Sequence, residues 1–221
     1  AVNSFTLMFL QLWNINVKEK EDYSKYMHYT SVIDRGMRNG GYVVPYGDSP
    51  YDDEDVGEKV YLDILNRSQD YVHIMTPYLI IDEEMINALI FAAQRGVEVK
   101  LILPHIPDKK IVFEVTRSNY ERLIEGGVKI YEYTPGFVHG KVMLSDEQSA
   151  VVGTVNMDYR SYYLHYECGV WMYQTPCLRD IRKDLEECFA RSHQVTLEEC
   201  RSVSVPRRFL RAFLNIISPI M

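Results

Sequence analysis

From residue 41 onward, apolar runs with strand character alternate with stretches of helical periodicity, and few folds accommodate that order. Residues 41–46 read as a strand. Residues 55–67 read as a helix, with Val56, Val60, Ile64 and Leu65 near one face. A strand at 71–76 follows. Asp82 then caps a helix running to Gln94, with Glu83 and Glu84 in its favourable first turn and Gly96 ending it. Residues 97–103 form a strongly apolar strand. Residues 108–125 predict one helix closed by Gly126-Gly127, and 128–133 another strand. A helix over 176–192 starts with Pro176, which the first helical turn tolerates. The alternation predicts an α/β domain: a mixed β-sheet flanked by helices on both faces, parallel units first. A doubly wound nucleotide-binding fold shares this pattern, but no Gly-rich phosphate loop follows the first strand.

The next stretch carries chemistry. It reads H-x-K-x4-D-x6-G-T-x-N, from His139 and Lys141 through Asp146 to Gly153, Thr154 and Asn156. Residues 138–144 alternate as a strand would, which predicts that His139 and Lys141 share a face. Asp146-Glu147-Gln148 reads as a turn and 149–152 as the returning strand, so the hairpin brings Gly153, Thr154 and Asn156 back beside His139 and Lys141. A phosphoryl group in transfer needs a nucleophile or proton shuttle and donors for its non-bridging oxygens. Histidine, titrating near neutral pH, suits the first role. Lys141, the Thr154 hydroxyl and the Asn156 amide suit the second. Downstream, Asn156, Asp158, Arg160 and Ser161 form N-x-D-x-R-S, and Glu167 opens the next strand, 165–173. Glu167 is a candidate for fixing the tautomer and orientation of His139. Asp146 is kept as a candidate of the site, with a structural role in the turn as its simpler reading.

His139, Lys141, Asp146, Gly153, Thr154, Asn156 and Glu167 together resemble the second motif of the phospholipase D superfamily. Within that superfamily, Pro45-Tyr46-Gly47-Asp48-Ser49-Pro50, the stretch from Thr76-Pro77-Tyr78-Leu79 through Arg95-Gly96-Val97, and residues 131–139 resemble the C-terminal half of a bacterial cardiolipin synthase. The likeness runs from about residue 42 to the C-terminus. His165 stands where many relatives have Asn, and Gly140 where many have Ala. The resemblance implies a phospholipase D-like sheet and two H-x-K motifs, one from each half of a duplicated chain. One histidine carries a phosphoryl group and the other serves as general acid and base; no metal and no cofactor take part. It also implies that His139, in the second motif, is the acid and base.

This chain has one H-x-K and begins at Ala1, so the expectation is an excerpt of a larger protein that lacks its N-terminal catalytic half. Residues 1–40 read as a helical, linker-like segment, 41–203 as the phospholipase D-like domain, and 204–221 as an amphipathic C-terminal helix. In that last segment Phe209, Leu210, Phe213, Leu214 and Ile217 are expected on one face, with Arg207, Arg208 and Arg211 at its polar edge. Such an end suits an anionic membrane surface; packing on its own domain is the competing expectation.

The formal net charge of −7 argues against a general nucleic-acid binder. Asp52, Asp53, Glu54 and Asp55 contribute to it and read as a loop and helix start. Cys168, Cys177, Cys188 and Cys200 contain no C-x-x-C, show no zinc-ligand pattern with the histidines, and read as reduced thiols. His28, His73, His105, His165 and His193 are scattered; structural or surface roles are expected, with His165 the one that could lie near the site. No stretch has the length of a transmembrane helix, so the excerpt is expected to be soluble, and the resemblance places the whole protein at the bacterial cell membrane with this domain on the cytoplasmic side.

The leading expectation is a phosphatidyl transferase that joins two phosphatidylglycerol molecules into cardiolipin through a phosphatidyl-histidine. A phospholipase or nuclease-type phosphodiesterase of the same superfamily is the alternative, since water and an alcohol differ only as acceptor. A noncatalytic lipid-binding module is a third. A symmetric dimer pairing two copies of His139 is the other way to complete a two-histidine site.

Overall fold

The computed structural model describes residues 1–27, 40–51 and 54–218. Helix α1 (Val2–Asn16) lies against strand β1 (Tyr42–Asp48) and is tied to the turn after it by Asn14, whose amide bonds both backbone groups of Glu21. The linker-like reading beyond Met27, His28, and the Asp52-Asp53 pair lie outside the described residues.

Alternation becomes a three-layer structure. Helix α2 (Val56–Arg67) leads to β2 (Tyr71–Met75), the two-residue β3 (Leu79–Ile80), α3 (Glu83–Gln94) and β4 (Glu98–Pro104). Helices α4 (Lys110–Ser118) and α5 (Tyr120–Glu125) lead to β5 (Lys129–Tyr133), then β6 (Val142–Ser145), β7 (Ser149–Gly153) and β8 (Met157–Asp158). The short α6 (Tyr159–Tyr163), β9 (Glu167–Tyr173), α7 (Leu178–Ala190), β10 (Ser192–Gln194), α8 (Leu197–Arg201) and α9 (Val205–Ile217) complete the chain. The main sheet has eight strands in the order β1-β9-β7-β6-β2-β4-β5-β10. Strands β2, β4 and β5 pair in parallel, and the remaining pairs are antiparallel. Both faces are covered, as expected. Val72, Ile74, Leu101, Met143 and Val151 point into a core with α2, α3 and α5, while Met75, Ile102, Leu144 and Ala150 meet Leu178 and Leu185 of α7. Strand β4 is buried on both sides, which explains its near-continuous apolar run.

Local signals behave as physics demands. Asp82 Oδ1 accepts from Met85 N at 2.8 Å. Gly96, at φ +96°, closes α3 in the left-handed region. The single helix expected over 108–125 is instead broken at Asn119. Its amide donates 3.0 Å to the carbonyl of Leu79, a buried tertiary bond that takes priority over continued helix. Pro176 precedes α7 by a turn rather than opening it. Helix α9 packs on its own domain along one side. Leu214 is buried and Ile217 packs beside it against Ile80, Val112, Val115 and Tyr159. Arg207 and Arg211 bond Glu114 of α4, so these two arginines are not the free cations expected at its edge. Phe209 (72% exposed), Phe213 (60%) and Ile216 (77%) form an outward stripe, so the expected single apolar face is split in two.

Candidate functional site

Strand β6 begins at Val142, not at residue 138. Its partner β2 ends at Met75, opposite Val142, and the chain then leaves as Thr76 N bonds Ile102 O at 3.1 Å. With no ladder to hold them, His139 and Lys141 sit in the segment that enters β6. One bond from Gly153 N to Lys141 O, 3.3 Å, extends the β6–β7 hairpin as far as Lys141. The sequence expectation that the two side chains lie together holds despite this. Lys141 Nζ is 3.2 Å from each ring nitrogen of His139 and 2.8 Å from the His139 carbonyl oxygen. The carbonyl takes a conventional hydrogen bond; the imidazole lone pairs diverge, so one ammonium cannot serve both ring nitrogens at once. His139 is exposed, with the Phe137 ring 5.8 Å away. Lys141 is buried, and burial pulls its ammonium below the ordinary lysine pKa, opposed by the charges of Glu167 and Asp158.

Thr154, Asn156 and Glu167 come together at the same end of the sheet. Thr154 Oγ1 donates to Glu167 Oε2 and accepts from Cys168 N at 3.0 Å. Ser161 Oγ donates to Glu167 Oε1 at 2.9 Å, and Asn156 Nδ2 donates to Ser161 Oγ at 3.0 Å. Because the Ser161 hydroxyl hydrogen goes to Glu167, its oxygen must accept, which fixes the Asn156 amide with nitrogen inward. Asn156 Oδ1 is buried without a hydrogen-bond partner among the described residues. His165 Nδ1 lies 3.5 Å from Glu167 Oε1. Glu167 was expected to orient His139. Among the described residues its oxygens are instead taken by Thr154 and Ser161, with His165 beside them, and its reach toward the H-x-K pair is the charge it presents to Lys141.

Asp146 is not brought to the site. It follows the four-residue β6 while Lys141 precedes it, and the five extended steps between them span about 16 Å. Its carboxylate accepts from the backbone N–H groups of Gln69 (2.9 Å), Asp70 (3.0 Å) and Tyr71 (2.8 Å), clamping the turn that enters β2. Three bonds of this kind are those of a turn clamp, the simpler of its two readings.

Several contributors escape sequence reasoning. Ser161 belongs to the N-x-D-x-R-S run, but its bridging of Asn156 and Glu167 is visible only in three dimensions; Asp158 Oδ1 holds Ser161 N at 2.8 Å. Tyr61 of α2 donates 2.8 Å to the Val155 carbonyl, bracing the G-T-x-N loop from below. Gly153 and Gly169 face each other across β7 and β9, and a Cβ on Gly153 would stand 2.7 Å from Gly169 Cα and 2.4 Å from Cys168 O. No group of three His, Cys, Asp or Glu side chains suited to a metal occurs among the described residues. His139 and Thr154 are exposed, Asn156 is half-buried and Lys141 is buried.

Residues 61–191 match the family described as "Cardiolipin synthase, PLD-like domain". Over its whole length the chain is 50% identical to an uncharacterized protein of Streptococcus mutans, of which it covers 47%. It is 31% identical to a cardiolipin synthase of Halalkalibacterium halodurans, of which it covers 43%. The chain thus spans less than half the length of these relatives. A solved phospholipase D family member, Nuc from Salmonella typhimurium, superposes with a TM-score of 0.61 at 14% identity, over 71% of this chain and 99% of that one, which shows a shared fold.

Proposed function

Because the chain belongs to the family of cardiolipin synthase PLD-like domains, we propose that it supplies one of two catalytic halves of a phosphatidyl transferase that makes cardiolipin from two phosphatidylglycerol molecules. The observation that carries this reading is the pairing of an exposed imidazole with a buried ammonium, His139 against Lys141 at 3.2 Å. A desolvated cation acts on a transferring phosphoryl group more strongly than one in water. The exposure of His139 and Thr154 suits a site completed by a second half.

In the first displacement, a histidine of the other half attacks phosphorus. A P–N bond forms, the P–O bond to glycerol breaks, and glycerol leaves with a proton from His139. In the second, a hydroxyl of another phosphatidylglycerol attacks the phosphatidyl-histidine, gives its proton to His139, and the P–N bond breaks. Lys141 neutralises a non-bridging oxygen, and Thr154 and Asn156 line the same approach, held by Glu167 and Ser161. No helix among the described residues is long and apolar enough to cross a membrane. In this reading the anionic lipid surface is met by the outward stripe of α9.

The test uses the full-length protein with phosphatidylglycerol labelled at phosphorus. Label should pass through a protein-bound phosphoramidate into cardiolipin, and His139→Ala should abolish the product. Cleavage of DNA phosphodiesters with no lipid product would overturn the transferase reading. This chain alone should show little or no synthesis unless two copies face each other as a dimer; robust turnover by a dilute monomer would contradict the two-half arrangement.

A further inference from the structure

Beneath α9, beside the carboxyl ends of β4 and β5, lie two adjoining cavities of about 250 Å³ each. They share Arg117, Cys200 and Arg211. The first is also lined by His105, Tyr120 and Glu132, and the second by Arg208. Strand β5 stands three places from β6 in the sheet, so the cavities are displaced about 14 Å from the H-x-K motif, at the same end of the sheet.

The acceptors in these walls are already taken. Glu132 is buried and receives Arg117 Nε at 2.8 Å, Arg117 Nη2 at 2.5 Å and His105 Nδ1 at 2.8 Å. Glu199 receives Thr196 N and His193, and Glu121 receives Arg201. The donors are not used up. Arg211 binds Glu114 through Nε, and Arg208 has no carboxylate partner among the described residues. His105 keeps its second ring nitrogen. The Tyr120 side chain is 2% exposed, and its hydroxyl faces Arg117, Cys200 and the Glu132 carboxylate without a hydrogen bond of full geometry to any of them. A buried hydroxyl without a full hydrogen bond is costly to retain, so a cavity that keeps one suits a ligand able to bond it. Spare N–H and O–H donors, the unpaired charge of Arg208 and saturated carboxylates suit a ligand that brings acceptors and negative charge.

We propose that this double cavity is a second binding site, distinct from the His139 motif, for a phosphate oxyanion, supplied either by the phosphodiester of a glycerophospholipid headgroup or by free inorganic phosphate. The site does not depend on the transferase reading, because it is read out by binding to this chain alone.

The experiment is titration calorimetry of this chain with glycerophosphoglycerol and, separately, with inorganic phosphate. Tyr120→Phe and Arg208→Ala should each weaken binding roughly five- to tenfold, as expected for losing one hydrogen bond to a charged group. Tyr120→Phe should change the melting temperature little, since the hydroxyl it removes makes no hydrogen bond of full geometry among the described residues. Tighter binding of glycerophosphoglycerol identifies a headgroup site; equal or tighter binding of inorganic phosphate identifies a free-phosphate site. Absence of binding by both probes, affinities unchanged in both variants, or loss of binding in His139→Ala would overturn the proposal.

Discussion

Lys141 Nζ rests 3.2 Å from both ring nitrogens of His139 while its own stem is buried. The ammonium is therefore held where it is costly to keep charged, which is the arrangement expected of a group retained for chemistry rather than stability. Lys141→Met should lower transfer by the full-length protein about 10²–10³-fold, the scale of one lost oxyanion donor. The same substitution should leave the melting temperature of this chain unchanged or raise it, with a gain of 1 kcal/mol appearing as about 2–4 °C. Parallel activity and melting measurements decide it; a large loss of stability would make Lys141 structural.

Glu167 gathers Thr154 and Ser161, and through Ser161 it sets Asn156. Glu167→Ala leaves two hydroxyls without their acceptor and should cost about 2–4 kcal/mol, as charge-assisted bonds do. Thr154→Val, which loses one of them, should cost less. Chemical denaturation of both variants checks the order, and a smaller effect for Glu167→Ala would contradict the network.

Asp146→Ala removes the acceptor of three backbone N–H groups. The expected cost is about 1–3 kcal/mol of stability. At a temperature where the variant is folded, transfer per folded molecule should be near that of the wild type. A variant that melts normally but has lost activity would return Asp146 to the chemistry.

Glu58, on the first turn of α2, is buried and accepts from the Tyr163 hydroxyl at 2.7 Å. Burial pushes its carboxyl up to about 7, with Tyr163 opposing and the charges of Asp82, Glu84 and Asp55 reinforcing the rise. Between the ordinary value of 4.5 and about 7, the native protein keeps a proton that the unfolded chain has released. Stability should therefore fall as pH rises through that window. Glu58→Gln should flatten the slope, raising the melting temperature at pH 8 relative to wild type more than at pH 5. Scanning fluorimetry across that range is the check; an equal effect at both ends would remove Glu58 as the cause.

The outward stripe of α9 can be altered without touching its packed side. Phe209→Ser with Phe213→Ser should reduce co-sedimentation with phosphatidylglycerol vesicles and leave the melting temperature in place, because both rings are exposed. With Arg207 and Arg211 committed to Glu114, the salt-sensitive part of that binding should be about that of one arginine, roughly 1 kcal/mol. Undiminished sedimentation of the double variant would show that α9 does not anchor the chain.

Much of this was legible because it is written in periodicity and end signals. Alternating apolar runs placed β2, β4 and β5, Asp82 and Gly96 bracketed α3, and the Asp146 turn gave the hairpin. What escaped has tertiary causes. The two-residue strands β3 and β8 exist only because they pair with each other. Strand β10 is three polar residues on the sheet edge, held by β5. The start of β6 depends on where β2 stops. The role of Glu167 depends on Ser161 folding back onto it, which spacing along the chain cannot announce. Helix α8 was the avoidable miss, since Thr196 and Glu199 form a capping box readable as T-x-x-E.

The facing glycines of β7 and β9 have a consequence for anyone wishing to reshape the proposed site. A Cβ at Gly153 would meet the main chain of Cys168 and Gly169, and one at Gly169 would meet the ring of Tyr46, so the ground under the G-T-x-N loop is already filled. New side chains cannot be planted there without prying the sheet apart. Redesign has to work from above, starting with Phe137, whose ring is already 5.8 Å from His139 and open to solvent.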